Sequence, residues 1–174
     1  MKSIGIVAIS LDGRITKHHN EGAAFTSPQD QQYFRQILKT FDCCILAAKT
    51  FEVIKTTVQK SKQTERLQIV LTRNPFQYQA HIKPDVLEFT DSPIVQVFAD
   101  LRARGKQRCA ILGGSWLYGE CLKEKLMDEL WVTLEPLIFG EGKQFVNRIV
   151  DCQLSLQSVE HLAENTLLLK YQMR

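Results

Sequence analysis

The 174-residue sequence predicts an α/β fold, with a central, mostly parallel sheet, helices on both faces and an antiparallel hairpin at the C-terminal end. Three observations carry the prediction. Apolar runs that read as strands alternate with segments of helical spacing over the first two thirds of the chain. The first of these runs, Ile4 to Ile9, is β-branched and almost uninterrupted, as expected of a strand covered on both faces. The last third changes character. There Glu129 to Leu134 reads as a strand, and Leu154 to Ala163 and Thr166 to Gln172 flank Glu164 and Asn165 as a hairpin.

The elements follow in order. The first strand ends in the turn signal Ser10, Leu11, Asp12, Gly13, and a polar, irregular loop runs from Arg14 to Thr26. Ser27 then caps a helix with Pro28 at its first position and Asp30 in its first turn, and Phe34, Ile37, Leu38 and Phe41 supply its apolar face. Cys43 to Ala47 is a second buried strand, leading into a short helix near Lys49, Thr50 and Phe51 and a polar stretch from Lys55 to Glu65. Leu67 to Leu71 is a third strand and Val86 to Phe89 a short fourth. Asp91, Ser92 and Pro93 open a helix carrying Val95, Val97, Phe98 and Leu101, which Gly105 stops. Ala110, Ile111 and Leu112 then form a strand that breaks at Gly113 and Gly114 and restarts as a helix at Ser115.

Length fits one domain, 1–174, and is short for two. Hydrophobic content of 44% and charged content of 24% exclude disordered, coiled-coil and collagen-like classes. The net charge of +3 is mild and its cations are scattered, with no basic stripe interleaved with aromatics, so no nucleic-acid partner is expected. The five cysteines are odd in number, without a CxxC, and His18 and His19 lack ligand-like spacing to further ligands; reduced thiols and no metal are expected. No run approaches membrane-spanning length and the N-terminus is too strand-like for a secretory signal, which points to a cytoplasmic protein with no membrane partner.

A parallel sheet presents ligands to the carboxyl ends of its strands. Those ends here carry Ser10, Asp12 and Gly13; Lys49 and Thr50; Thr72 and Arg73; and Gly113, Gly114 and Ser115. Hydroxyls, cations and glycine N–H groups suit a phosphate-rich ligand, although turns and caps alone also account for the Ser, Thr and Gly residues. The Gly-Gly turn reads equally as an ordinary tight turn when taken alone. GxxxxGK[ST], a GxGxxG after the first strand, and GxSxG are all absent, which excludes P-loop enzymes, standard Rossmann dehydrogenases and elbow-type hydrolases.

Six ordered segments carry a family resemblance: Ser10 to Ile15, Thr26 to Asp30, Ile45 to Phe51, Leu71 to Arg73, Leu112 to Ser115 with Leu126 to Leu130, and Pro136 with Gly140 to Gly142. Together they resemble the C-terminal reductase domain of the riboflavin-biosynthesis deaminase-reductase, a relative of dihydrofolate reductase. The resemblance implies a dihydrofolate reductase-like three-layer fold, NADPH as hydride donor, a small heterocyclic substrate and a homodimer. It assigns the cofactor pyrophosphate to Gly113, Gly114, Ser115 and Thr50, the adenosine 2′-phosphate to Arg73 and Thr72 with Lys49 near, and the nicotinamide to Ala8, Ile15 and Tyr118. Asp30 and Thr133 match the acid and hydroxyl partner of dihydrofolate reductases, and Arg66 their carboxylate anchor. Asp12 is a second candidate acid, or a turn residue, and Ser10 a candidate substrate contact; a first-turn Asp30 is also favoured by the helix dipole alone.

Two departures bear on the substrate. Leu112 stands where riboflavin-pathway enzymes carry Glu, and residues 55–65 hold no Pro where an Asp-x-Pro-x-Leu segment is usual. Ala47 and Ala48 replace a Gly-Arg pair, leaving the 2′-phosphate to Arg73. The expected activity is reduction of a ribosylaminopyrimidine or related heterocycle by NADPH, with dihydrofolate reduction and non-catalytic dinucleotide binding as alternatives.

Overall fold

In the computed structural model, which describes residues 1–60 and 66–174, eight strands form one sheet. The strands are β1 (Lys2–Ser10), β2 (Cys43–Ala47), β3 (Leu67–Leu71), β4 (Leu87–Thr90), β5 (Arg108–Ile111), β6 (Glu129–Glu135), β7 (Leu154–His161) and β8 (Leu167–Met173). Their order is β4-β3-β2-β5-β1-β6-β8-β7. The pairings from β4 across to β6 are parallel, and β8 and β7 add antiparallel. The α-helices among the described residues are α1 (Pro28–Ile37), α2 (Ala48–Lys60), α3 (Ile94–Ala103) and α4 (Ser115–Lys123); a 3-10 turn at Leu38–Thr40 follows α1 and another at Pro75–His81 lies between β3 and β4.

Helices cover both faces, which is why the central strands are apolar without alternation. On one face Cys43, Ile45, Ile69 and Ile111 pack against Val97, Phe98 and Leu101 of α3 and Leu117, Tyr118 and Cys121 of α4. On the other, Ile4, Ile6, Cys44, Leu46 and Val70 pack against Leu38, Phe41, Phe51 and Tyr78. Neighbouring residues of one strand thus serve opposite cores, the period of two that the pleat imposes.

The start of α1 follows its sequence signals, with Ser27 accepting from the Asp30 backbone N–H at 3.2 Å and Pro28 in the first turn. Three expectations need correction. The helix after β2 begins at Ala48 with no intervening loop and runs through Lys60, so the polar residues from Lys55 are its continuation rather than a separate stretch. Lys and Gln are good helix formers, and a polar run gives a solvated helix face as readily as a loop; residues 61–65 of that stretch lie outside the described residues. The fourth strand starts at Leu87 because the Val86 N–H closes a turn onto the Lys83 carbonyl at 3.0 Å. In the third helix Val95 faces solvent, and Ile94 completes the buried set instead.

The loop after β1 is pinned. Ile15 N–H donates to the Lys143 carbonyl and Phe145 N–H to the Gly13 carbonyl, so residues 13–15 run against residues 143–145. A Cβ on Gly142 would stand 2.2 Å from the Thr16 carbonyl oxygen, so the two segments approach closely only because that residue is glycine. No helix among the described residues is long and apolar enough to cross a membrane.

Candidate active site

The carboxyl ends of β1, β2, β3 and β5 open into a cleft of about 2570 Å³. One end of it is built by the chain between β5 and α4. Leu112 N–H donates to the Ile45 carbonyl at 2.9 Å and Ala47 N–H to the Gly113 carbonyl at 2.8 Å, which stitches the turn to β2. Gly113 has φ +87°, joins Gly114 through a cis peptide, and a Cβ on it would lie 2.7 Å from the Tyr118 ring. Gly114 is the N-cap of α4 and brings no side-chain oxygen to the first helical N–H groups. Uncapped N–H groups at the positive end of a helix favour an anion. The space a Cβ would take on Gly114 lies 3.7 Å from the Thr50 hydroxyl oxygen, at the start of α2, so the turn and that hydroxyl share one concavity. Lys49, Thr72 and Arg73 line the same cleft. This donor set fits the pyrophosphate and 2′-phosphate of a dinucleotide.

The acid-facing end lies between α1 and β6. Asp30 is only 7% exposed and lines the cleft together with Thr133. Burial pushes its carboxyl above the usual carboxylate range; hydroxyls of Thr133 and Thr26 hydrogen-bond to it and oppose the rise, while the charge of Glu135 adds to it. Arg66 lines the cleft as well, its guanidinium reaching the Leu38 carbonyl at 3.5 Å with Nε buried and unpartnered among the described residues. The Tyr33 hydroxyl and the Gln68 Nε2 are buried and unpartnered in the same way, and both residues line this cleft. Ala8 and Ile15 form apolar wall between the two ends.

Two predicted residues serve other ends, and two more reach the cleft with their hydroxyls engaged elsewhere. Ser10 and Asp12 are not in the cleft wall. The Ser10 hydroxyl donates to Asp12 at 2.6 Å, and the Asp12 carboxylate also accepts from the backbone N–H groups of Phe139 (3.1 Å) and Gly140 (2.8 Å). The Ser10 hydrogen bond, with help from those N–H groups, holds the Asp12 carboxyl down at about 2. Asp12 is therefore an ionised loop fastener rather than a proton donor, and Ser10 is its partner rather than a substrate contact. Tyr118 meets the cleft with its ring alone, because its hydroxyl is buried and donates to the Ile6 carbonyl at 2.5 Å. The Ser115 hydroxyl donates to the Gln144 carbonyl at 2.5 Å, which leaves its backbone N–H for an anion.

Sequence reasoning missed Glu135, whose carboxylate accepts from Ser27 and Thr166 behind Asp30. The signal was present. A Glu two residues after Thr133 in an apolar strand lies on the same face as Thr133 and is buried unless the strand has ended.

Comparison with known proteins adds a lineage to this geometry. The RibD C-terminal domain profile matches residues 4–168. The chain belongs to the RibD C-terminal domain family. It is 27% identical over 146 residues to the uncharacterized protein YwjB of Bacillus subtilis, covering 81% of this chain and 80% of that one. Among solved structures it is similar to a diaminohydroxyphosphoribosylaminopyrimidine deaminase/5-amino-6-(5-phosphoribosylamino)uracil reductase from Thermotoga maritima, with a TM-score of 0.80 at 15% identity. That match covers 99% of this chain and 56% of the Thermotoga protein, so the chain spans little more than half of it. A pyrimidine reductase-like protein from Corynebacterium diphtheriae matches with a TM-score of 0.75 at 17% identity, covering 99% and 92% of the two chains. Dihydrofolate reductase from Enterococcus faecalis, solved in complex with NADP(H), matches with a TM-score of 0.69 at 21% identity, covering 99% and 96%. These likenesses establish the dihydrofolate reductase-like fold of this member of the RibD C-terminal domain family.

Proposed function

We propose that the protein is an oxidoreductase that uses NADPH to reduce a heterocyclic or ribosylaminopyrimidine substrate, resembling 5-amino-6-(5-phosphoribosylamino)uracil reductase. The observation that carries this reading is the meeting, in one cleft, of a glycine turn with uncapped helix N–H groups at one end and a buried carboxyl at the other. NADPH, when bound, supplies the hydride. The chain's own groups do the rest. The N–H groups of Gly114 and Ser115 and the Thr50 hydroxyl hold the pyrophosphate, and Arg73 with Thr72 pairs with the 2′-phosphate. Ala8 and Ile15 exclude water beside the reacting ring. Asp30, with its proton affinity raised by burial and its orientation set by Thr133, delivers a proton to a ring nitrogen or holds an amino edge of the substrate. Arg66 at the far wall pairs with an anionic arm.

A second reading, dihydrofolate reduction, is favoured by one observation, the hydrogen-bonded Asp30–Thr133 pair facing the cleft. Steady-state assays of NADPH oxidation with dihydrofolate and with a ribosylaminopyrimidine phosphate separate the two. Turnover of either supports the oxidoreductase reading; turnover of neither rejects both named substrates, and tight NADPH binding with no hydride transfer to any tested heterocycle rejects the reductase in favour of a non-catalytic dinucleotide-binding protein.

The reading includes a homodimer. β7 is an open edge strand on which Leu154, Leu156 and Val159 are exposed, and an edge of that kind is stabilised by covering it with another copy. Sedimentation as a monomer at micromolar concentration rejects the dimer.

A further inference from the structure

Glu135 ends β6, two residues beyond Thr133, on the same face of the strand, and it is buried. Its Oε1 accepts from the backbone N–H of Ser27 at 2.8 Å and from the Ser27 hydroxyl at 2.9 Å, and its Oε2 accepts from the Thr166 hydroxyl at 2.9 Å. Ser27 is the N-cap of α1, and its hydroxyl oxygen accepts in turn from the Asp30 N–H at 3.2 Å. A single carboxylate therefore ties the start of α1 to β6 and to the residue that leads into β8. Asp30 is the next link of the same chain of bonds.

A neutral amide or hydroxyl would join these segments with a smaller desolvation cost than a buried carboxylate. The charge calls for a further role, and its neighbour is the acid. We propose that Glu135 is the positioning residue of this site: through Ser27 it seats the first turn of α1, and so sets where the Asp30 carboxyl stands and how readily it holds a proton. Burial is the largest cause of the raised proton affinity of Asp30, and the Glu135 charge acts in the same direction. Among the described residues, the Asp30 charge also acts on Tyr33 of α1, as does that of Glu160 of β7, which is paired with Lys170 of β8 at 2.7 Å. The proposal deepens the reductase reading and depends on it only for the catalytic consequence.

The test is a carboxyl-carbon NMR titration of the full chain without substrate or cofactor, comparing the wild type with Glu135→Gln and Thr166→Val. Glu135→Gln removes the charge and keeps the shape; Thr166→Val removes one hydrogen bond and keeps the charge. The expected result is a lower Asp30 midpoint in Glu135→Gln, with a clearly smaller change in Thr166→Val. An unmoved midpoint in folded Glu135→Gln, or equal displacements in both variants, overturns the proposal. If Glu135→Gln does not fold, Ser27→Ala decides: it removes the hydroxyl that links Glu135 to the Asp30 N–H and keeps the Glu135 side chain, so an Asp30 midpoint unmoved in that variant also overturns the proposal. Failure to reduce any heterocycle would reject the reductase reading and leave these titrations standing.

Discussion

At Asp30, burial raises proton affinity and two hydroxyls lower it, and burial is the larger influence. For an acid whose folded pKa lies above its unfolded value, the stabilising contribution is complete below the unfolded pKa and is lost as pH rises through the folded pKa. Asp30→Asn is therefore expected to be more thermostable than the wild type at pH 7 to 8, with the difference vanishing in acid. Its kcat/KM should fall by roughly a hundredfold or more, because a positioned acid contributes about that much. Thermal melts across pH and steady-state assays check both. Asp12 has the opposite sign. Its folded pKa is lowered from 3.8 to about 2, so its contribution is complete above the first value and fades as pH drops through the second. Asp12→Asn is expected to loosen residues 137–140, seen as faster proteolytic nicking there, while leaving the rate of hydride transfer in single-turnover measurements near wild type. Loss of the chemical step in that variant would restore Asp12 as the acid. Both residues looked alike in the sequence, each an Asp near a strand end or helix start. Composition could not reveal that one is buried and the other is satisfied by the backbone N–H groups of Phe139 and Gly140, because those donors arrive from far along the chain.

At the scale of the element, the β5-turn-α4 unit separates folding from binding within two adjacent glycines. Gly113→Ala forces a side chain into positive φ and against the Tyr118 ring at 2.7 Å. That combination should cost about 2–4 kcal/mol and lower Tm by roughly 5–15 °C. Gly114→Ala meets only an ordinary 3.7 Å contact with Thr50, so the apo protein should melt near wild type. Its methyl group fills the concavity proposed for the pyrophosphate, so NADPH affinity should fall about tenfold or more. Equal affinity in Gly114→Ala and wild type would remove the pyrophosphate from this turn. The helix starts were legible because capping is local. Ser27, Pro28 and Asp30 lie within four residues and announce α1 without tertiary help. The extent of α2 was not legible, since its polar half carries no periodic apolar face to distinguish helix from loop. Glu135 escaped notice for a different reason. Its partners Ser27 and Thr166 are remote in sequence, and only the alternation along β6 hinted that it faces inward.

For the whole molecule, the dinucleotide reading makes a measurable claim on stability. A ligand that binds only the folded state at a hundred times its Kd adds about 2.7 kcal/mol, or roughly 5–10 °C in Tm for a chain of this size. NADPH should produce that shift, NADH a smaller one, and Arg73→Gln should bring the two together, because the guanidinium reads the extra phosphate. Absence of any shift with saturating NADPH would remove the cofactor from the proposal. The architecture itself was largely legible, since unbroken apolar strands mark a sheet covered on both faces and the change of pattern after Glu129 marks the antiparallel end. The strand order was not, and it has a consequence for how the protein folds. β1 lies between β5 and β6, pairing Lys2 with Arg108 and Ile4 with Glu129. Both partners of β1 thus lie far along the chain, in strands that begin at Arg108 and Glu129. Contacts so distant in sequence slow folding and prolong the exposure of sticky surface. Since β1 and the β5 turn are two walls of one cleft, the cleft is complete only after β1 is inserted between β5 and β6, and a chain lacking β6 can display neither a finished sheet nor a finished cleft.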